Sequence, residues 1–233
     1  MTRSARVLVL SGRGRYEDPW HDMAATSHRV ADVLRGTVDA VGEVVVRGSF
    51  PDALDDVDAF DLLVVNCASG RSDPGFDGDD ATWVPFHEAL RRWADAGQPV
   101  LALHQAANTF ADSPHWERVL GGRWVDGASM HPPIDEATFE VVDAAHPAVA
   151  GAQDGDRARI VAFDERYSFL RVSQDVRVLV TQRHDGVDHP VVWVRDGGAA
   201  RLVYDALGHD VRSYDSPSRR ALLASEVGWL LAG

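Results

Sequence analysis

The chain of 233 residues has a single cysteine, Cys67, so no internal disulfide can form. No stretch approaches the roughly 20 apolar residues that a membrane-spanning helix needs. The apolar run Val7 to Leu10, behind the slightly basic start Met1 to Arg6, is far too short for a secretion signal. Positive charge is also scarce. Against 36 acidic residues stand 23 basic ones, a formal net charge of −13. Such a surface repels phosphate backbones and argues against nucleic-acid partners. A neutral or basic small molecule fits it, as does an anion held by a local arginine. The reading is a cytoplasmic protein with neither a membrane nor a nucleic acid as partner.

Familiar motifs are missing as well. Gly12-Arg-Gly14 would need a third glycine at 17 to bind a dinucleotide, but Glu17 stands there, and no Walker A lysine exists. No nucleotide is expected. The ten histidines form neither H-E-x-x-H nor H-x-H, and the acids between Asp73 and Asp80 lack EF-hand spacing.

What is present is an ordinary globular balance, 45% hydrophobic and 25% charged. Continuous apolar runs at 6–10, 44–46, 62–65 and 99–103 read as strands buried on both faces. Helical spacing between them, over Asp22–Arg35 with Gly36 as stop and over Trp83–Trp93 with Gly97 as stop, predicts right-handed βαβ units. Residues 70–80 read as a mobile loop, and Ser113-Pro114 as the cap of a short helix ending at Gly121-Gly122. The second half, with strands at 138–142, 176–181, 191–194 and 201–204, is β-rich and partly antiparallel. A last helix covers about 218–231. No repeat or linker interrupts the chain, so residues 1–233 form one domain of mostly parallel α/β class.

Ligands of open α/β sheets bind at the carboxyl ends of strands. The loops after Leu10, Val65, Leu103 and Tyr204 are therefore the candidates. Trp20-His21-Asp22 follows the first; His21 is either a proton carrier or ligand, or a plain helix-entry residue. Leu103-His104 has the form of a nucleophile elbow, a strand feeding sharply into a helix, but histidine there suits acid–base work or metal ligation. The bland alternative is a buried imidazole satisfied by the backbone. Cys67 reads first as a small buried hydrophobe. Phe163 to Tyr167 reads as a loop with two adjacent acids, Asp164 and Glu165, of which at most one faces a given pocket. His189 sits at a strand entrance, and His209-Asp210 follows the last strand. A hydrolase using Cys67 or Ser129 is the weakest option, since Ser129 lacks the second elbow glycine. A metal site assembled from His21, His104, Glu165 and His209 is open, with zinc one option for a divalent ion.

These segments together resemble the ThuA-like (trehalose utilisation) family. The matching pieces are Trp20-His21-Asp22, Leu103-His104-Gln-Ala106, Leu120 to Trp124, His146-Pro147, Phe163 to Tyr167, His189 to Trp193 and Arg201 to Asp210. The resemblance implies a flavodoxin-like sheet of the class I glutamine amidotransferase type. Those relatives carry a cysteine where this chain has His104, which argues against glutamine hydrolysis. It also implies a role in catabolism of trehalose-type disaccharides, beside a dehydrogenase that makes 3-keto sugars. On that reading His104, His21, Glu165 and His209 are the candidate catalytic residues. Trp20, Asp164, Tyr167, His189 and Asp210 are candidate sugar-binding residues, with Trp193 assigned to the core. The alternative is a non-catalytic sugar-binding or scaffolding protein. A homo-oligomer is compatible with either.

Overall fold

The computed structural model describes residues 4–196 and 201–232; the start Met1 to Arg3 lies outside the described residues. The strands are β1 Ala5–Ser11, β2 Val41–Gly48, β3 Leu62–Asn66, β4 Pro99–Leu103, β5 Gly122–Arg123, β6 Asp135–Val141, β7 Arg159–Asp164, β8 Arg171–Val172, β9 Arg177–His184, β10 Val187–Arg195 and β11 Arg201–Asp205. The α-helices are α1 Met23–Thr37, α2 Pro74–Asp77, α3 Asp80–Asp95, α4 Trp116–Leu120 and α5 Pro217–Leu231. Nine strands form one sheet in the order β2-β1-β3-β4-β11-β10-β9-β6-β7, and β5 pairs with β8 apart from it. Pairing is parallel from β2 through β11 and antiparallel from β11 to β7. The result is a mixed sheet, parallel in the half flanked by helices and antiparallel in the β-rich second half.

The parallel half forms because β1, β3 and β4 are almost wholly apolar. Val7 to Leu10, Leu62 to Val65 and Leu101 to Leu103 are fully buried between helices on both faces. The antiparallel half alternates instead; β6 and β7 each bury every second residue. Because β1, β3, β4 and β11 are parallel neighbours, their carboxyl ends open on one edge. The loops beginning at 12, 67, 104 and 206 therefore meet there. No helix among the described residues is long and apolar enough to cross a membrane.

Several local expectations are corrected. The first helix runs past Gly36 to Thr37, and extended Val38 ends it; Asp22 caps its start by accepting from Ala25 N at 2.9 Å. The stretch 70–80 holds the helical turn α2 and is tied down by Arg15, whose guanidinium meets Asp80 at 3.0 Å, Asp112 at 2.8 Å and the Gly78 carbonyl at 2.8 Å. Such a clamp holds a segment that composition alone marks as loose. The short helix starts at Trp116 with His115, not Ser113, at its cap; the Ser113 hydroxyl accepts from His115 N one step earlier. Residues 159–164 form a strand, so Phe163 and Asp164 close β7 instead of lying in a loop. After His104 comes a four-residue 3-10 turn, His104–Ala107, and no α-helix.

Candidate functional site

His104 leaves β4 with φ +44°, a left-handed conformation that costs a non-glycine residue about 1–2 kcal/mol. Two contacts hold it. Its Nδ1 donates to the Ala206 carbonyl at 2.7 Å, and Tyr204 Oη donates to the His104 carbonyl at 2.9 Å. Both partners come from β11 and the loop after it, the next strand in the sheet. The carbonyl fixes the tautomer, so in the neutral ring His104 Nε2 carries the lone pair.

That lone pair points into a cluster from three other loops. His21 Nε2 lies 3.2 Å from His104 Nε2, and Glu165 Oε2 lies 3.5 Å from it. His209 Nδ1 lies 3.2 Å from Glu165 Oε1. His21, His104, Glu165 and His209 each offer a donor atom, and all four atoms fall within 4.8 Å of one another. The four residues named from sequence as candidate catalytic groups therefore share one place.

Each is aimed by identifiable neighbours. Asp18 accepts from the Trp20 and His21 amides and from His21 Nδ1 at 2.7 Å, turning the imidazole inward. The loop carrying Asp18 is pinned by backbone contact, Ala68 N to the Tyr16 carbonyl and Gly70 N to the Arg15 carbonyl, both at 2.8 Å. Fully buried Asp164 accepts from Gly208 N at 2.8 Å, His209 N at 3.1 Å, Glu165 N at 2.9 Å and Ser213 Oγ at 2.5 Å. It thereby fixes the loop that presents His209. Beneath this loop Arg219, also fully buried, pairs with Asp205 at 2.8 Å.

Electrostatics separate the imidazoles. Burial pulls His104 toward neutrality, but Glu165 beside it, with Asp164, outweighs burial and raises its pKa. Burial also lowers His21; the pull of Asp18 upward is overcome with help from the like charges of His104 and His209. Glu165 is the complement. Burial would raise it, yet His104 and His209 hold it well below the usual carboxylate range.

The cluster forms the floor of a pocket of about 590 Å³. Asp18, His21, Glu165 and His209 line it, with Gln105, Asn108, Ser69, Asp126, His131, Trp20 and Trp124 as walls. Trp20 is 75% exposed at the rim. His104 lies behind this lining, 1% exposed, with Tyr167 against its back: Tyr167 Oη is 3.1 Å from His104 Nε2 and their ring centroids are 4.5 Å apart. Tyr167 is fully buried and braces the cluster.

Asp164 is engaged entirely in holding backbone and Ser213. His189 stands apart from the pocket; its Nδ1 accepts from Phe169 N at 3.2 Å and its ring packs on Phe169. Asp210 caps the turn Val211–Asp215 and pairs with Arg212. Trp193 is fully buried, donating to the Leu120 carbonyl. Cys67 is fully buried, and burial pushes its thiol well above its ordinary value. Ser129 is spent on Val125 N and the Phe169 carbonyl. Neither is placed as a nucleophile. Sequence reading missed Asp18, Gln105, Asn108, Trp124, Asp126 and His131. Only Asp18 carried a usable signal, a carboxylate three residues before His21.

The sheet order, its parallel-to-antiparallel change at β11 and the polar cluster at the strand ends define an amidotransferase-like α/β protein. The family model for trehalose utilisation, ThuA, matches residues 6–230, and the chain belongs to that family. No curated protein matches the sequence. Among solved structures, a ThuA-like protein from Parabacteroides merdae superposes with a TM-score of 0.74 at 18% identity, covering 99% of this chain and 91% of that one. A ThuA-like protein from Bacteroides uniformis gives 0.74 at 15% identity, covering 99% and 93%. A glutamine amidotransferase from Thermotoga maritima gives 0.59 at 11% identity over 100% of both chains. At these identities the likeness concerns the fold.

Proposed function

We propose that this protein is a cytoplasmic enzyme of sugar catabolism that acts on an unphosphorylated disaccharide of the trehalose type, in its 3-keto form, by acid–base chemistry. The observation that carries this reading is the convergence of His21, Glu165 and His209 on the floor of one pocket, with His104 directly behind them. A binding module has no need to gather three imidazoles around a buried carboxylate.

The walls suit a sugar. Asn108, Ser69, Gln105 and Asp126 offer donors and acceptors to hydroxyls, and Trp20 and Trp124 offer faces for a pyranose ring. The lining includes Asp18, Asp126 and Glu165 but neither arginine nor lysine. A phosphorylated sugar or a nucleic acid would meet repulsion there. The chain contains no lysine at all, so no Schiff base with a ketose can form.

A ketone at C3 acidifies the C–H at C2. His209 lines the pocket beside Glu165 and is the base that this geometry favours; His104, behind the lining, positions Glu165 and His21. His209 takes the C2 proton, and the C–H electron pair forms the enolate of the ketone. Reprotonation on the other face completes an isomerisation. Alternatively the C1–O bond breaks, its electron pair leaves with the departing sugar, and a second imidazolium protonates that oxygen. The experiment is incubation of 3-keto-trehalose and trehalose with wild type, His209→Ala and His104→Ala, followed by NMR. Consumption of the keto sugar by wild type and its loss in both folded variants is expected. An unchanged substrate with folded wild type refutes the proposal.

A further inference from the structure

Two of the imidazoles in this cluster face each other through their Nε2 atoms. His104 Nδ1 must carry hydrogen, because the Ala206 carbonyl 2.7 Å away can only accept. His21 Nδ1 must carry hydrogen for the Asp18 carboxylate at 2.7 and 2.9 Å. In the neutral rings both Nε2 atoms are then acceptors, 3.2 Å apart. Tyr167 Oη, 3.1 Å from His104 Nε2, and Gln105 Nε2, 3.2 Å from His21 Nε2, are the donors within reach of them. On the third side Glu165 Oε2 and His209 Nδ1 are buried atoms that hydrogen-bond to nothing among the described residues. The Glu165 side chain is only 8% exposed. A buried carboxylate oxygen without a hydrogen-bond partner, ringed by imidazole nitrogens, calls for positive charge at this place, which a bound cation would supply.

We propose that His21, His104, Glu165 and His209 bind one divalent transition-metal ion of the zinc class. A tetrahedral ion with bonds near 2.0–2.1 Å spaces its ligand atoms by roughly 3.3 Å. The observed separations include 3.2 Å for His21–His104, 3.5 Å from His104 Nε2 to Glu165 Oε2 and 3.2 Å from His209 Nδ1 to Glu165 Oε1, and the four donor atoms all lie within 4.8 Å of one another, so small side-chain shifts would close them around one ion. The donor set is three imidazoles and one carboxylate, which suits zinc, cobalt or manganese over calcium or magnesium. Ligand imidazoles characteristically donate their second N–H to a carboxylate or carbonyl, and Asp18 and the Ala206 carbonyl hold those positions. The ion would lie at the pocket floor, where it can take the oxygens of a keto sugar.

This inference deepens the proposed activity and shares its residues, but it does not depend on the substrate. With the ion bound, the lone pairs of the four ligands are engaged, so His209 serves there as a ligand and is the base of the proposed reaction only in the metal-free protein.

The test uses tag-free protein, stripped with chelator and titrated calorimetrically with zinc and with cobalt. Elemental analysis is run alongside, and visible absorption of the cobalt form reports its ligand field. One ion per chain is expected, with intense tetrahedral cobalt bands. Glu165→Gln keeps the shape of the side chain and should weaken binding at least tenfold. Asp18→Asn should weaken it roughly 10- to 100-fold by releasing His21. The inference is overturned if folded wild type shows no saturable binding, or if binding survives His104→Ala and His209→Ala together. Stoichiometric binding without turnover of 3-keto-trehalose would sustain the metal site while removing the proposed activity. Full turnover by stripped protein that takes up no metal would do the reverse.

Discussion

Asp164→Asn separates a residue that builds the site from one that touches substrate. The carboxylate is fully buried and accepts four hydrogen bonds, from the amides of Glu165, Gly208 and His209 and from Ser213 Oγ. Asparagine keeps one acceptor oxygen, enough for Glu165 N and His209 N, which both use Oδ1. Its amide nitrogen would replace Oδ2 and face the Gly208 N–H. That donor would be left buried without a partner, at a cost of about 1–3 kcal/mol. The remaining bonds would lose their charge assistance, roughly half their strength. A loss of about 3 kcal/mol is expected, or about 6–12 °C in Tm for a chain of this size. The 206–210 loop would loosen and His209 would leave Glu165. The assay is urea and thermal unfolding of both proteins, with steady-state kinetics on the keto sugar. A variant within about 1 kcal/mol of wild type whose KM alone rises would refute the reasoning, and would make Asp164 a sugar ligand.

Trp20→Ala should raise KM roughly 2- to 10-fold, the value of one aromatic face, and leave Tm unchanged, since the ring is 75% exposed. An unaltered KM removes Trp20 from sugar binding. Gly70→Ala should destabilise the protein by about 1–3 kcal/mol or more, because a Cβ there would sit 1.9 Å from the Glu17 carbonyl oxygen and 2.6 Å from that of Gly14. Unfolding indistinguishable from wild type would show that the loop holding Asp18 is not pinned there. Asp112 bears on acid stability. Burial would raise its carboxyl, but His87, Tyr16 and Arg15 hold it far below its ordinary value. A depressed folded-state pKa gives stability that is present above the unfolded value, near 4, and is lost as pH falls below it. The Tm gap between wild type and Asp112→Asn should thus be wide at pH 6–7 and shrink below about pH 4. A gap that stays constant down to pH 3 contradicts the clamp.

Much of the fold was legible because burial on both faces writes itself into sequence. Val7 to Leu10, Leu62 to Val65 and the run ending at Leu103 read as strands, and their parallel order then placed the chemistry at their carboxyl ends. Strand β7 was missed because its alternating residues Ile160, Ala162 and Asp164 end in a charge that resembles a loop. The helix expected after His104 was misjudged for a similar reason. A left-handed residue held by β11 stops the turn short, and no local propensity encodes a neighbouring strand.

His104 was visible from its strand-end position, and His21, Glu165 and His209 from their motifs. Sequence alone fixed the residue types and the edge of the sheet they occupy. Tertiary structure decided the rest: that four groups from four loops fall within 4.8 Å, that His104 stands behind the pocket and His209 within it, and that Asp164 builds the loop. The physical reason is range. Hydrophobic periodicity is a local signal, whereas a lone pair, a tautomer or a buried carboxylate takes its role from atoms far off in the chain, as His21 and Ala206 are 83 and 102 residues from His104.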